Sequence, residues 1–237
     1  MFVMNILAVG AHPDDIELGC GGTLIKASRQ GHNVFMYTLT RGAGSGDPEQ
    51  RTKELMQSAM FIGAKRLWID NFEDTKLSLN SDLINHIEFF VNKADPDIVI
   101  THAVGDTHHD HRAIAAATLE AARFIPNILA YEIPVTQDFK PQVYYDISDV
   151  IDDKIRLINT FWSQRSKMFL KSNAIRGLAE YRALQSRLNT HVTGVEAFEV
   201  QKLCFGKEFN LLRVPQKNIA KVTPEQMPKE VIESISA

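Results

Sequence analysis

The sequence predicts a single-domain α/β protein with a mostly parallel sheet flanked by helices. Short apolar runs alternate along the chain with stretches of helical period, the pattern of strands joined by crossover helices. Glycines close several of the helical stretches. The length of 237 residues, with 44% hydrophobic and 23% charged content, suits one sizeable core. There is no internal repeat or low-complexity tract to suggest another architecture.

The first strand is the apolar run 5–10. It leads directly into Ala11-His12-Pro13-Asp14-Asp15-Ile16-Glu17-Leu18-Gly19. One histidine and three carboxylates, with no lysine or arginine among them, repel one another unless a cation or a proton sits between them. A divalent metal meets that need: His12 and Asp15 offer a nitrogen and an oxygen ligand, and Asp14 is left over as a base toward water. Pro13 pre-sets the turn. An ordinary acidic cap before a helix is the plainer alternative. After Gly19-Cys20-Gly21-Gly22-Thr23, residues 24–30 read as a helix closed by Gly31. These glycines do not spell G-x-G-x-x-G, so a nicotinamide-type oxidoreductase is the weaker expectation.

Residues 34–39 form a second, parallel strand, and the glycine-rich loop 40–48 after it is a candidate lid or substrate loop. A helix over 49–62 carries an apolar stripe of Leu55, Ala59 and Ile62 and ends at Gly63. Near its start Arg51 and Glu54 lie three apart, either as a surface ion pair or as a substrate contact. A third strand covers 66–69. The next helix, capped by Asn80 or Ser81, runs to about Lys93, with His86 on its surface. A fourth strand, 97–102, is followed by Asp106-Thr107-His108-His109-Asp110-His111. Three histidines and two carboxylates exceed what a cap requires, because Asp110 alone would cap the helix 113–122. This second cluster reads as the other half of a metal site. Both clusters stand past the C-terminal ends of strands, so a parallel sheet brings them to one edge.

Further strands are expected over 128–133 and, after Pro141, at a sheet edge over 143–147. Helices follow over 152–162 and 173–188, with Phe161, Trp162 and Phe169 as core aromatics. His191 lies in the loop before a last strand, 195–205, and is a candidate to reach the site. The stretch from Lys217 has little core character and is expected to be a peripheral tail, 217–237, beyond a domain of 1–216. A net charge of −3 leaves no basic stripe for nucleic acid. Two distant cysteines, Cys20 and Cys204, fit a reducing compartment. With no leader-like N-terminus or membrane-length apolar run, the expected setting is the cytoplasm.

His12-Pro13-Asp14-Asp15-Ile16-Glu17 after a first strand and Asp106-x-His108-x-Asp110-His111 after a fourth closely resemble the motifs of the LmbE-like, or PIG-L, family of zinc-dependent N-deacetylases. The resemblance runs from about residue 4 to 205. It takes in Arg51-x-x-Glu54 and Val195-Glu196-Ala197-Phe198, which is similar to the family's A-E-A-F signature. It implies a Rossmann-like three-layer fold and removal of an acyl group, usually acetyl, from an N-acetylglucosamine-type sugar. It further implies zinc held by His12, Asp15 and His111, with Asp14 as general base. His108 would support the oxyanion or the leaving amine, Asp110 would orient His108, and Arg51 would grip the substrate. Many members carry a tyrosine just before A-E-A-F where this chain has Gly194; His191 or Tyr131 is the candidate substitute. The implied partner is a small N-acetylated aminosugar, with neither nucleic acid nor membrane, and the family's hexamers imply a homo-oligomer. A zinc amidase for a thiol conjugate or other acyl amide, and a metal-binding module without catalysis, are the competing readings.

Overall fold

A computed structural model describes residues 3–189, 191–204 and 232–235. β1 (Asn5–Gly10) pairs in parallel with β2 (Asn33–Thr40) on one side and β4 (Ile98–His102) on the other. β3 (Arg66–Phe72) continues the parallel run beside β2, and β5 (Asn127–Tyr131) continues it beside β4. The chain therefore builds outward from β1 in one direction, then restarts at β4 in the other, leaving a topological switch point between β1 and β4. β6 (Val143–Asp146) and β7 (Val195–Leu203) extend one side antiparallel, and β6 is an edge strand as its preceding proline suggested. β8 (Ile232–Ile235) pairs antiparallel with β3 at the opposite edge. The rest of the expected tail lies outside the described residues.

Alternate side chains of each central strand enter two different cores, as both-face burial of a parallel sheet requires. Ile6 and Ala8 belong to one core together with residues of α1 (Asp15–Arg29), α2 (Pro48–Ile62), α5 (Ile151–Ile158) and α6 (Ser172–Ser186). Leu7 and Val9 meet α3 (Ser81–Ala94) and α4 (His109–Ala121). The helices thus form the outer layers of the three-layer arrangement. No helix among the described residues is long and apolar enough to cross a membrane.

Two departures from the sequence reading bear on the site. α1 begins at Asp15, nine residues before the expected start, and takes in the glycines after which the helix was expected to begin. It is broken at Cys20 (φ −139°). Across the break Glu196 accepts from the backbone N–H groups of Gly22 (2.8 Å) and Thr23 (2.6 Å), while Lys154 Nζ donates to the Leu18 carbonyl (2.7 Å) and to Glu196 (2.6 Å). The pair caps both helix ends created by the break. Gly19 is required because a Cβ there would run into the Tyr131 ring. Second, α4 starts at His109, and its cap is His108 Nδ1, which accepts the Asp110 N–H (3.2 Å). Asp110 sits inside the first turn rather than capping it.

Other side chains differ from expectation as well. Trp162 is 55% exposed rather than core. His86 is not a plain surface residue: its Nδ1 lies 2.8 Å from Asp70, which also accepts the Tyr37 hydroxyl (2.6 Å).

Candidate active site

The loops after β1 and β4 meet at the switch point. Three atoms form a nearly equilateral triangle there. His12 Nδ1 is 3.2 Å from Asp15 Oδ2 and 3.3 Å from His111 Nε2, and Asp15 Oδ2 is 3.3 Å from His111 Nε2. Ligand bonds of about 2.0–2.2 Å in a tetrahedron give ligand–ligand edges of roughly 3.3–3.5 Å. The triangle is therefore the size of one face of a zinc tetrahedron.

The far nitrogens of both imidazoles rest on carboxylates. His111 Nδ1 is 3.1 Å from Asp106, which is itself held by the His108 N–H and the Thr136 hydroxyl. His12 Nε2 faces Asp74 (2.9 Å) and Asp110 (3.1 Å). Each histidine thus has one nitrogen on the common point and the other on an acid, the arrangement that fixes a ligand tautomer and raises its basicity. Other trios can be drawn, one of them His102, Asp106 and His111. His102 Nε2, however, already accepts the Ala11 N–H (3.1 Å), and Asp106 serves the outer nitrogen of His111.

Charge balance points the same way. Burial works to lower His12, yet Asp110, Asp15 and Asp74 outweigh it and hold its pKa well above 6.5. Burial likewise opposes the charge on His111, but Asp15 and Asp106 raise it to about 9. Burial would raise Asp15; His111 and His102 bring it well below the usual carboxylate range. Protons on His12 and His111 do here the neutralising that a divalent cation would do. Glu17 does not contribute to the acid excess, contrary to its place in the motif. Burial pushes its carboxyl up to about 8, and it accepts the hydroxyl of Ser58 from α2.

Asp14 lies beside the triangle in a strained backbone conformation, φ 111°. A non-glycine residue held there costs on the order of 1–3 kcal/mol. Arg51 holds it: Nη2 donates to the Pro13 carbonyl and to Asp14 Oδ2 (3.1 Å), and Nη1 donates to Gly42 O (2.9 Å) and Ser45 (2.5 Å). Gly42, at φ 69°, leaves the room that this guanidinium fills. Burial drives the Asp14 carboxyl up to about 6 against the pull of Arg51. Arg51 is thus buried rather than a surface ion-pair partner, and Glu54 turns instead to Ser163.

His108 is half-buried with its ring 4.6 Å from that of His111. Burial and the charges of His111 and His12 lower its pKa, keeping it neutral. Because Nδ1 accepts the Asp110 N–H, the proton resides on Nε2, which is left to donate. Asp110 has a different partner from the one expected. Its carboxylate meets His12 and the N–H groups of Thr75 (2.8 Å) and Leu77 (3.0 Å), and only its backbone touches His108. His191 is exposed, and none of its described contacts is with the cluster. Tyr131 is buried with its hydroxyl committed to the Val9 carbonyl (3.1 Å). A Cβ at Gly194 would face Ile151 and Ala179.

Sequence reading missed three contributors. Asp106 and His102 stood in or next to the second cluster. Asp74 comes from a polar connection with no motif of its own; burial works to raise its carboxyl, but His12 draws it down to about 2. Asp74 Oδ2 accepts the Gly44 N–H (2.7 Å), tying the glycine-rich loop to the centre.

A three-layer α/β sheet with an imidazole–carboxylate cluster at its switch point places a candidate site where such sheets bind their ligands, with residues that could hold a metal ion. A family profile described as PIG-L, GlcNAc-PI de-N-acetylase, matches residues 7–122. The chain is 36% identical over 153 residues to the uncharacterized deacetylase YaiS of Escherichia coli K12, covering 61% of this chain and 83% of that protein. It is 30% identical over 188 residues to the diacetylchitobiose deacetylase of Thermococcus kodakarensis, covering 68% and 70%. The solved structure of the conserved protein TT1542 from Thermus thermophilus superposes with a TM-score of 0.77 at 24% identity, over 92% of this chain and 100% of that one. The chain belongs to the LmbE-like, or PIG-L, family of N-deacetylases.

Proposed function

We propose that this protein is a zinc-dependent N-deacetylase that releases acetate from a small N-acetylglucosamine-type sugar or its conjugate. The observation that carries the reading is the triangle of His12 Nδ1, Asp15 Oδ2 and His111 Nε2 with Asp14 beside it. The name of the Thermococcus relative supports an acetylated aminosugar. His12, Asp15 and His111 would hold the metal, with Asp106 and Asp110 as their outer partners. Zinc in such a site brings a bound water to a pKa of about 7 and polarises a carbonyl.

The chain's own groups account for the proton movements. Asp14, held by Arg51, takes the proton from water as its oxygen bonds to the amide carbon. His108 Nε2–H donates to the developing oxyanion, a contribution of roughly 3–4 kcal/mol for one such donor. Asp14 or His108 then protonates the departing nitrogen as the carbon–nitrogen bond breaks, giving acetate and a free amine. Arg51, buried and with both terminal nitrogens committed to Pro13, Asp14, Gly42 and Ser45, does not grip the sugar as the resemblance implied; it positions Asp14, and the 42–46 loop it holds lines the approach. The reading includes a cytoplasmic setting, a small-molecule partner without nucleic acid or membrane, and self-association.

Dialysis against a strong chelator, followed by zinc, tests it on a panel that includes N-acetylglucosamine and diacetylchitobiose. Acetate release should vanish and return. Turnover untouched by chelation would sink the zinc mechanism, and zinc-loaded protein that frees no amine from any member would sink the substrate class.

A further inference from the structure

Between α5 and α6 the chain runs through two short 3-10 turns, Trp162–Gln164 and Met168–Leu170. One side of this segment is fastened to α2 and to the 42–46 loop. Ser163 donates from its N–H (3.0 Å) and hydroxyl (2.6 Å) to Glu54, and Gln164 Nε2 donates to the Ser45 carbonyl (3.1 Å). The other side lines a separate cavity of about 310 Å³. Its apolar floor includes Phe161 and Leu170; its walls carry Trp162, Arg165, Lys171 and Asn159.

Three features of the lining select a ligand. Arg165 and Lys171 are exposed, make no ion pair among the described residues, and no acidic side chain lines the cavity. Two uncompensated cations on one small concavity favour an anion. Trp162 is 55% exposed at this wall, and an indole face stacks on a flat or ring-shaped apolar surface. The Asn159 amide supplies both a donor and an acceptor for hydroxyl groups. The volume lies at the lower end of small-molecule pockets, about 300–1,000 Å³, which suits one ring rather than an oligomer.

We propose that this cavity is a second binding site, for a small ring-bearing anion such as a phosphorylated or carboxylated monosaccharide. The inference stands apart from the deacetylase reading, since binding is measured without turnover. The ligand is either a free metabolite or the distal part of a substrate whose other end reaches the metal centre. Through Ser163 and Gln164 it bears on Glu54 and the 42–46 loop.

The test titrates the zinc-loaded enzyme with glucose 6-phosphate and with glucose, by calorimetry and by tryptophan fluorescence. Of the chain's two tryptophans, Trp68 is buried, so Trp162 is the one placed to respond to ligand. Saturable binding of glucose 6-phosphate is expected, at least about tenfold tighter than glucose. The double variant Arg165→Ala/Lys171→Ala and the single variant Trp162→Ala should each weaken it by about tenfold or more, whereas Asp14→Asn should leave it unchanged. If glucose 6-phosphate raises KM for diacetylchitobiose at constant kcat, the site belongs to the distal part of a substrate. A changed kcat, or no kinetic effect, assigns it to a separate metabolite. Absence of saturable binding overturns the proposal. So does binding that survives Arg165→Ala/Lys171→Ala, because the anion would then lie elsewhere.

Discussion

α1 carries two buried charge assemblies, one at its first turn and one at its break, and they are built on opposite rules. At the break, Lys154 and Glu196 answer each other and the helix ends: each charge has an opposite charge, and the Gly22 and Thr23 N–H groups and the Leu18 carbonyl have partners. At the first turn, five aspartates, Asp14, Asp15, Asp74, Asp106 and Asp110, stand among His12, His102, His108, His111 and Arg51, and buried atoms remain unpartnered, among them His102 Nδ1 and Arg51 Nε. A self-satisfied assembly holds shape. An assembly that its own members cannot neutralise is organised around something that arrives from outside.

The contrast is broken most directly at Asp14. Asp14→Asn should cut kcat by about 10²–10⁴-fold while zinc content and urea midpoint hold steady or rise. A large loss of stability instead would place Asp14 with the structural pair. At the break the opposite outcome is expected. Glu196→Gln should destabilise by about 3–5 kcal/mol, because it strands the buried Lys154 charge, and Lys154→Met added to it should recover much of that loss in urea unfolding. Unchanged stability would show that the cap is not needed.

Asp106→Asn sharpens the comparison from within the centre. It should weaken zinc binding by about 10–100-fold, read by competition with a chelator, with little change in folding. The smallest effect is expected at His86, outside both assemblies. Burial works to lower its pKa, but Asp70 raises it above 6.5 in the folded state. A raised folded value stabilises fully below 6.5 and fades as pH climbs through the folded-state pKa. His86→Ala should therefore flatten the decline of the urea midpoint as pH rises from 6.5 through the folded-state pKa; an unaltered profile would assign the decline elsewhere.

Much of this was legible in the sequence. The alternation of apolar runs and helices fixes the parallel sheet, and strand ends carrying His12 and His111 announce their meeting although they stand 99 positions apart. What escaped was tertiary. The helix is expected only after Gly19, Gly21 and Gly22 because local propensity counts the cost of a helical glycine and not the close approach of Tyr131, Leu157 and Glu196 that needs it. Asp74 escaped because one aspartate in a polar loop has no pattern. Asp110 was given the wrong partner because sequence adjacency favours His108, while the first turn of α4 aims the side chain across at His12. Trp162 read as core because aromatic residues usually are.

The Glu196 cap has a consequence for the birth of the molecule. Gly22 waits for an acceptor 174 positions downstream, so the break in α1 has no stopper until almost the whole domain has left the ribosome. Both motifs are translated long before that. A nascent or truncated chain ending ahead of β7 holds every proposed zinc ligand yet lacks the stopper for the helix that presents Asp15. Pairing over that span is slow, so the stopper on which the placement of Asp15 rests arrives with β7, long after β1 and both motifs.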